Sequence, residues 1–156
     1  MIQRIQSLYL LITAVITALV VFLPLARYLS GGEEFLLTAS GLQSTDAEVG
    51  MIARLPYLAI LGWAATLLPF VTIFLYRNRL TQIRMCIVEL VLLFGTVILT
   101  VYYLYYGTAT FGSAADYAAT YSVVNILPVV GLILTWLALR AITKDEALVR
   151  SVDRIR

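Results

Sequence analysis

The 156-residue sequence predicts an all-α membrane protein in which four transmembrane helices form an up-down bundle. Three observations support this fold class. Hydrophobic residues make up 62% of the chain and charged residues 13%, whereas a typical soluble domain has about 45–50% and about 25%. The apolar residues are concentrated in four long stretches, and the basic residues are divided unevenly among the connecting segments. A soluble globular domain is therefore excluded.

Each apolar stretch is long enough to cross a bilayer. The predicted spans cover residues 8–26, 55–76, 85–106 and 122–139, so each contains 18 to 22 residues. A helix that rises about 1.5 Å per residue needs about 20 residues to cross a hydrocarbon core about 30 Å thick. The alternating pattern of a membrane barrel is missing. We expect one domain over residues 1–156, with an outer loop at 27–54 and an amphipathic helical tail at 140–156.

The first span could be a cleaved signal peptide or a permanent helix. The span follows Arg4 as a signal peptide would, but it is long and no A-x-A pattern precedes Arg27. We therefore expect it to remain as a signal anchor. In the outer loop, turn residues flank Phe35 to Ala39 and predict a short hairpin. The link between spans two and three is short, so these helices form a membrane hairpin.

Basic residues assign the two sides of the membrane. Nine lie before the first span, between spans two and three, or after span four: Arg4, Arg77, Arg79, Arg84, Arg140, Lys144, Arg150, Arg154 and Arg156. Arg27 and Arg54 are the two in the other segments, which also contain five acidic residues. The positive-inside rule therefore predicts a multi-pass inner-membrane protein with both termini in the cytoplasm.

Tyrosines are concentrated at the outer ends of helices two to four: Tyr57, Tyr102, Tyr103, Tyr105, Tyr106 and Tyr121. Such a cluster is typical of an interfacial aromatic belt. A cradle for a ligand or quinone is the alternative, but no polar partner group lies near these residues in the sequence.

Glu89 is the one charged residue well inside a predicted span, and such residues are candidates for a functional site. Helical periodicity places it on a polar face of helix three, and its depth predicts an intramembrane polar layer of Tyr9, Thr72, Glu89 and Thr135. Burial there favours a protonated carboxyl. Three roles are open: a hydrogen-bonded packing element that can snorkel toward Arg84, proton or cation handling, or contact with a membrane-embedded partner.

The tail carries an amphipathic stripe at Ile142, Leu148 or Val149, Val152 and Ile155. It either continues helix four or lies on the inner leaflet, and docking a protein is a third use. Its basic face lacks a nucleic-acid-binding motif, so we expect no nucleic-acid partner.

The composition also restricts the chemistry. Histidine is absent, Cys86 is the single cysteine and Lys144 the single lysine, so we expect neither a metal site nor a cofactor, and a disulfide within the chain is impossible. Lys144 with Asp145 or Glu146 is the nearest approach to a catalytic group. These are adjacent solvated residues, so the sequence predicts no enzyme.

Three motifs, MIQRIQSLYLL, RNRLTQIRMC and LRAITKDEALVRSVDRIR, occur in this order along the chain. Together they make the sequence resemble a family of small four-helix inner-membrane proteins of Bacteroidota, catalogued as a domain of unknown function. The resemblance implies a single four-helix domain with cytoplasmic ends and supplies no activity. The family's signature positions correspond to Gln3, Arg4, Gln6, Asn78, Arg79, Gln82, Arg84, Arg140, Lys144, Asp145, Glu146, Arg150, Asp153 and Arg154.

These signature positions all lie at predicted cytoplasmic ends, which favours contact with a protein partner or a lipid headgroup. The leading hypothesis is a non-enzymatic accessory or scaffold subunit of a larger membrane assembly. Its partners would be membrane lipids and an integral-membrane or cytoplasmic protein, or further copies of the chain. The main alternative is a small oligomeric transporter or channel that uses Glu89. A membrane enzyme and a lipid- or quinone-binding protein are weaker alternatives.

Overall fold

Four long helices form the body of the protein. The structure is a computed structural model, and it describes residues 2–45, 50–75, 78–111 and 117–153. They are α1 (Ile2–Phe22), α2 (Tyr57–Phe74), α3 (Arg79–Phe111) and α4 (Leu127–Asp153). Each helix packs on its neighbours in sequence, and α4 packs back on α1. The predicted up-down bundle of four helices is therefore confirmed, and all four are long and apolar enough to cross a membrane.

The helix ends differ from the predicted span ends where other elements take over. α1 ends at Phe22, two residues before Pro24, and the chain enters a strand at Ala26. α3 contains 33 residues and is about 50 Å long, so it is longer than a hydrocarbon core of about 30 Å is thick. α4 runs without interruption into the predicted tail as far as Asp153. The tail therefore continues helix four as far as the structure describes it.

The bundle has a polar interior and an apolar surface. Among the described residues, buried polar side chains include seven threonines that point between the helices. Large apolar side chains such as Leu67, Val91, Phe94 and Ile133 are exposed on the outside. Hydroxyl and small residues at helix contacts with apolar residues outside are typical of proteins surrounded by lipid. Composition and packing together identify a membrane protein.

The all-α class is confirmed only in part, because the two outer loops also build a five-stranded antiparallel sheet. Its strands are β1 (Ala26–Ser30), β2 (Glu33–Thr38), β3 (Gly41–Ser44), β4 (Met51–Arg54) and β5 (Ala118–Tyr121), in the order β4-β3-β2-β1-β5. The predicted hairpin region around Phe35 lies in β2, which pairs with both β1 and β3. Burial alternates along β1 and β2, as in a sheet with one covered face.

Aromatic side chains attach this sheet to the end of α3. Tyr28 donates a hydrogen bond to the carbonyl of Leu104 at 3.2 Å, and its ring lies against Gly107, where an added Cβ would be 2.4 Å from the phenol oxygen. Phe111 stacks between Tyr28 and Phe35, with ring centroids 5.6 and 4.7 Å away. We call this the sheet end of the bundle. The opposite end, which contains the starts of α1 and α3 and the ends of α2 and α4, is the terminal end.

The predicted tyrosine belt is divided by the structure. Tyr57, Tyr102, Tyr105 and Tyr121 are exposed near the sheet end, and Tyr106 is half-buried. Tyr103 is fully buried instead: its hydroxyl donates to the carbonyl of Leu55 and accepts from the amide of Leu58. Tyr103 therefore joins α3 to the start of α2.

Candidate functional site

Glu89 lies inside the bundle, where its side chain is 1% exposed. It is ten residues from the start of α3, or about 15 Å along the helix axis. Neither carboxyl oxygen has a hydrogen-bond partner in the part of the chain that the structure describes. Glu89 is therefore a buried ionisable group without a polar contact.

Contacts on both sides of Glu89 define its level in the bundle. One turn before it, Cys86 packs in a buried cluster with Ala138 of α4. One turn after it, Leu93 lies against Gly131 of α4, where an added Cβ would meet its methyl carbons at 3.4 and 3.7 Å. Because α3 and α4 run in opposite directions, Glu89 is level with the part of α4 between Gly131 and Ala138.

Thr135 occupies that part of α4 and is fully buried. Its hydroxyl donates to the hydroxyl of Thr13 on α1 over 3.5 Å. Thr13 in turn donates to the carbonyl of Tyr9 at 3.0 Å. The structure therefore joins α1 and α4 by a pair of threonines at the level of Glu89.

A second pair of threonines joins α1 to α2 nearer the sheet end. Thr66 donates to the hydroxyl of Thr17 at 3.2 Å, and Thr17 lies 3.3 Å from the carbonyl of Ala65. Pro69 lacks the amide hydrogen that would otherwise bond to this carbonyl within α2. The same hydroxyl also lies 3.0 and 3.1 Å from the carbonyls of Thr13 and Ala14. The neighbouring helix therefore places a donor within reach of the carbonyl freed by the proline, and this donor has two further acceptors.

The other predicted members of the polar layer lie elsewhere. The backbone carbonyl of Thr72 accepts from the side chain of Gln82 at 3.4 Å, so Thr72 lies closer to the terminal end than Glu89 does. Its hydroxyl donates within α2, to Leu68. Tyr9 is half-buried and packs against the apolar cluster around Cys86. The structure thus places Thr135, and not Thr72, at the level of Glu89.

Polar side chains connect three helices at the terminal end. Gln6 of α1 donates to the Asp145 carboxylate of α4 at 2.6 Å. Arg79, the first residue of α3, donates to the backbone carbonyl of Asp145 at 3.2 Å. Gln6 and Gln82 are both buried. Four of the predicted contact residues therefore hold the helices together at this end rather than pointing away from the protein.

An open cavity of about 480 Å³ lies beside Arg79, between the α2–α3 link and α4, and is lined by Asn78, Arg79, Leu80, Thr81, Arg84 and Glu146. Asn78 and Arg84 are exposed, whereas Arg79 and Glu146 are half-buried. Lys144 is exposed on α4, outside this lining. The cavity collects four of the predicted contact residues, and we refer to it as the terminal cavity.

Other predicted residues lie partly or wholly outside the structural description. The backbones of Gln3 and Arg4 belong to α1, and those of Arg150 and Asp153 to α4, but their side chains are not among those described. Arg154 lies outside the described residues. Arg140 is described, and its guanidinium carbon lies 5.6 Å from the centre of the Trp136 ring.

The described residues contain no group of three His, Cys, Asp or Glu side chains placed to hold a metal ion. Cys86, a free buried thiol, packs among apolar side chains one turn from Glu89. The two chemically distinctive features are therefore an unpartnered carboxyl in the interior and a cavity lined by two arginines at the terminal end.

Thr13 and Thr17 are not among the residues predicted for the polar layer around Glu89. Depth along a single helix does not identify the hydrogen-bond partner of each hydroxyl. Pro69 was the available signal, since the carbonyl that a helical proline frees requires a nearby donor.

No curated protein matches this sequence. The sequence model of a protein family matches residues 2–155, which is nearly the whole chain. The match covers all four helices and the sheet as well as the terminal-end residues. The protein therefore belongs to the family described as a domain of unknown function (DUF4293).

Proposed function

We propose that the protein is a non-enzymatic integral membrane subunit that binds a protein partner through the terminal cavity and the residues around it. The observation that carries this proposal is the fixed position of Arg79. Its guanidinium is held by the Asp145 carbonyl, and Asp145 is held by Gln6. The cavity wall is therefore ordered before a partner arrives, which reduces the entropy lost on binding.

The chemistry of the cavity favours a polar, mainly acidic contact. Two arginines and one glutamate line it, together with the side chains of Asn78 and Thr81. Arginine is enriched at the energetically important positions of protein interfaces, and it pairs with carboxylates through two parallel hydrogen bonds. We propose an acidic segment of an integral-membrane or cytoplasmic protein as the partner.

The proposed location is the inner membrane, with the terminal end in the cytoplasm. The terminal-end segments contain nine basic residues and the sheet-end segments contain two. This excess supports the orientation, because segments rich in Lys and Arg remain in the cytoplasm. Membrane lipids would surround the helices, and the sheet would cover the outer end of the bundle.

Site-specific photo-crosslinking in native membranes tests the proposal. A photoreactive amino acid is placed at Leu80 or Arg84 in the cavity, or at Val91 as the control on the same helix. Leu80 is 52% exposed and Val91 67% exposed, so accessibility alone favours the control. We expect one discrete protein adduct from the cavity positions and lipid adducts from Val91. Equal adducts from all three positions, or lipid adducts alone, would contradict the proposal.

A second candidate is a small oligomeric transporter or channel, and the unpartnered carboxyl of Glu89 is the observation that favours it. Four helices enclose little space, so this function needs paired copies around the carboxyl. Reconstituted vesicles test it through a Glu89→Gln variant. Loss of substrate flux or proton coupling would support it, and unchanged transport in the variant would remove it.

A further inference from the structure

Buried polar side chains occur at successive levels along the bundle, and we call this row of residues the file. It contains every buried polar or charged residue recorded for the described chain: Gln6, Thr13, Thr17, Thr66, Thr72, Gln82, Glu89, Thr96, Thr100 and Thr135. Glu89 is the one member of this file that carries a formal charge when ionised. Gln6, Gln82 and Thr72 lie on its terminal-end side, and the members toward the sheet end are Thr17, Thr66, Thr96 and Thr100.

The threonines near Glu89 use their hydroxyl hydrogens elsewhere. Thr135 donates to Thr13, and Thr13 donates to the carbonyl of Tyr9. On α3 itself, Thr96 donates to the carbonyl of Leu92 at 2.9 Å. A hydroxyl whose hydrogen is used still has lone pairs available. The surroundings of Glu89 therefore offer acceptors rather than donors.

An acceptor-rich site suits a carboxylic acid and not a carboxylate. A carboxylate needs donors or a nearby cation to compensate for its burial, whereas a protonated carboxyl has an O–H of its own to donate. No described group is a hydrogen-bond partner of either Glu89 oxygen, and an unpartnered neutral carboxyl costs far less to bury than an unpartnered carboxylate. A metal cation fits less well, because divalent ions prefer several carboxylates and six or more oxygens, and the described residues supply one carboxyl here.

Few other titratable groups face Glu89. α1 contributes Tyr9 and α3 contributes Cys86, and both pack in the apolar cluster one turn nearer the terminal end. From α2 and α4, the buried polar side chains at neighbouring described positions are threonines. Toward the terminal end, the next described carboxyl on another helix is that of Asp145 on α4. It accepts a hydrogen bond from Gln6.

We propose that Glu89 is a proton-binding site in the interior of the bundle and that it exchanges its proton with water at the terminal end. The path on that side is shorter: Glu89 is about 15 Å from the start of α3 and about 33 Å from its end. Gln6 and Gln82 are the buried amides along the shorter path. Ionisation releases one proton to water and leaves one carboxylate, and no other reactant is required.

This inference goes beyond the scaffold function and does not depend on it. A transporter would use the same proton, but proton binding requires no transported substrate. The experiment below therefore measures the carboxyl itself rather than flux or partner binding.

Dicyclohexylcarbodiimide is the probe, because it enters membranes and reacts with protonated carboxyls. The carboxyl proton moves to one nitrogen of the reagent while the carboxyl oxygen bonds to its central carbon. A shift of the acyl group from oxygen to nitrogen then gives a stable N-acylurea that contains all atoms of both reactants. Full-length protein in lipid vesicles is labelled over a pH series, and the adduct is located by peptide mass spectrometry.

We expect one adduct on the peptide that contains Glu89. Its rate should be highest at acidic pH and should fall by about tenfold per pH unit once the carboxyl ionises. Glu89→Gln should abolish the adduct, whereas Glu33→Gln, at an exposed position of the sheet, should leave it unchanged. A water-soluble carbodiimide should label exposed carboxyls and spare Glu89.

Three results would overturn the proposal. The first is absence of the Glu89 adduct in protein that remains helical and monodisperse. The second is a labelling rate that does not change with pH. The third is protection by sodium chloride but not by choline chloride at constant pH, which would identify a cation site instead. The pH series uses the wild-type protein, so the test remains decisive if Glu89→Gln fails to fold.

Discussion

The two ends of the bundle are held together by different interactions. At the sheet end, strands satisfy their backbone groups by pairing, and Tyr28, Phe35 and Phe111 form a continuous aromatic contact with α3. At the terminal end, three helices meet through a few polar side chains, with Asp145 accepting from both Gln6 and Arg79. The sheet end is thus built mainly by burial, and the terminal end retains charged groups that can contact another molecule.

The largest predicted effect is at Gly41, in the sheet. Its φ is +138°, and an added Cβ would lie 2.1 Å from the carbonyl oxygen of Ala53. Gly41→Ala should therefore separate β3 from β4 and destabilise the protein by about 3 kcal/mol or more. Thermal unfolding in detergent measures the change.

Gly31→Ala is the matched control, because Gly31 also has a positive φ but an added Cβ there meets no atom within 4 Å. It should cost about 1 kcal/mol. Equal losses in the two variants would show that backbone conformation alone, and not contact with β4, requires the glycine.

Tyr103 is the next strongest test of the sheet end. Tyr103→Phe removes the donor to the half-buried Leu55 carbonyl and the acceptor of the buried Leu58 amide. We expect a loss of about 2 kcal/mol. Tyr102→Phe removes a hydroxyl from a residue that is 53% exposed and should change stability little. Similar melting temperatures for the two variants would argue against the buried bridge.

Asp145→Ala should affect the terminal end alone. The buried Gln6 amide would lose its acceptor, at a cost of about 1 kcal/mol. Hydrogen exchange should become faster in the first turns of α1 and the last turns of α4, with no change in the strands. The adjacent Lys144→Ala, at an exposed position, serves as the control. Faster exchange throughout the sheet would contradict the separation of the two ends.

The smallest effect at neutral pH concerns Tyr28. Burial raises the pKa of its phenol above the ordinary value of 10.0, and Tyr121 and Tyr117 add to the increase. A group whose pKa is raised by folding stabilises the native state below its unfolded pKa, and that contribution is lost as the pH rises above it. Wild-type stability should therefore fall above pH 10.0 more steeply than that of Tyr28→Phe. Parallel pH profiles of unfolding would contradict this expectation.

The sequence predicted the helices well because the physical requirement is local. About 20 consecutive apolar residues are enough to identify each span. The sheet was missed because β5 comes from the second outer loop and pairs with β1, whose residues lie about 90 positions earlier. The alternation around Tyr28 and Phe35 is a local signal for strands, but it does not identify their partners.

The candidate sites were predicted to different extents. Periodicity alone places Glu89 on the polar face of α3, and the structure buries it there. The bond between Gln6 and Asp145 joins residues 139 positions apart, so no spacing rule could predict it. The position of Thr72 along the bundle axis shows the same limit. It depends on how α2 and α3 are shifted relative to one another, and not on the number of residues between Thr72 and Arg77.

We propose that the protein binds its partner at the terminal end and not at the sheet end. The direct test is the mass and composition of the protein extracted from its native membrane in mild detergent, for the wild type and two charge reversals. Arg84→Glu changes the terminal cavity, and Arg54→Glu changes an arginine at the sheet end that is also exposed. We expect a stoichiometric complex with a second protein that Arg84→Glu abolishes and Arg54→Glu preserves. A homo-oligomer with nothing bound, or equal loss in both variants, would contradict it.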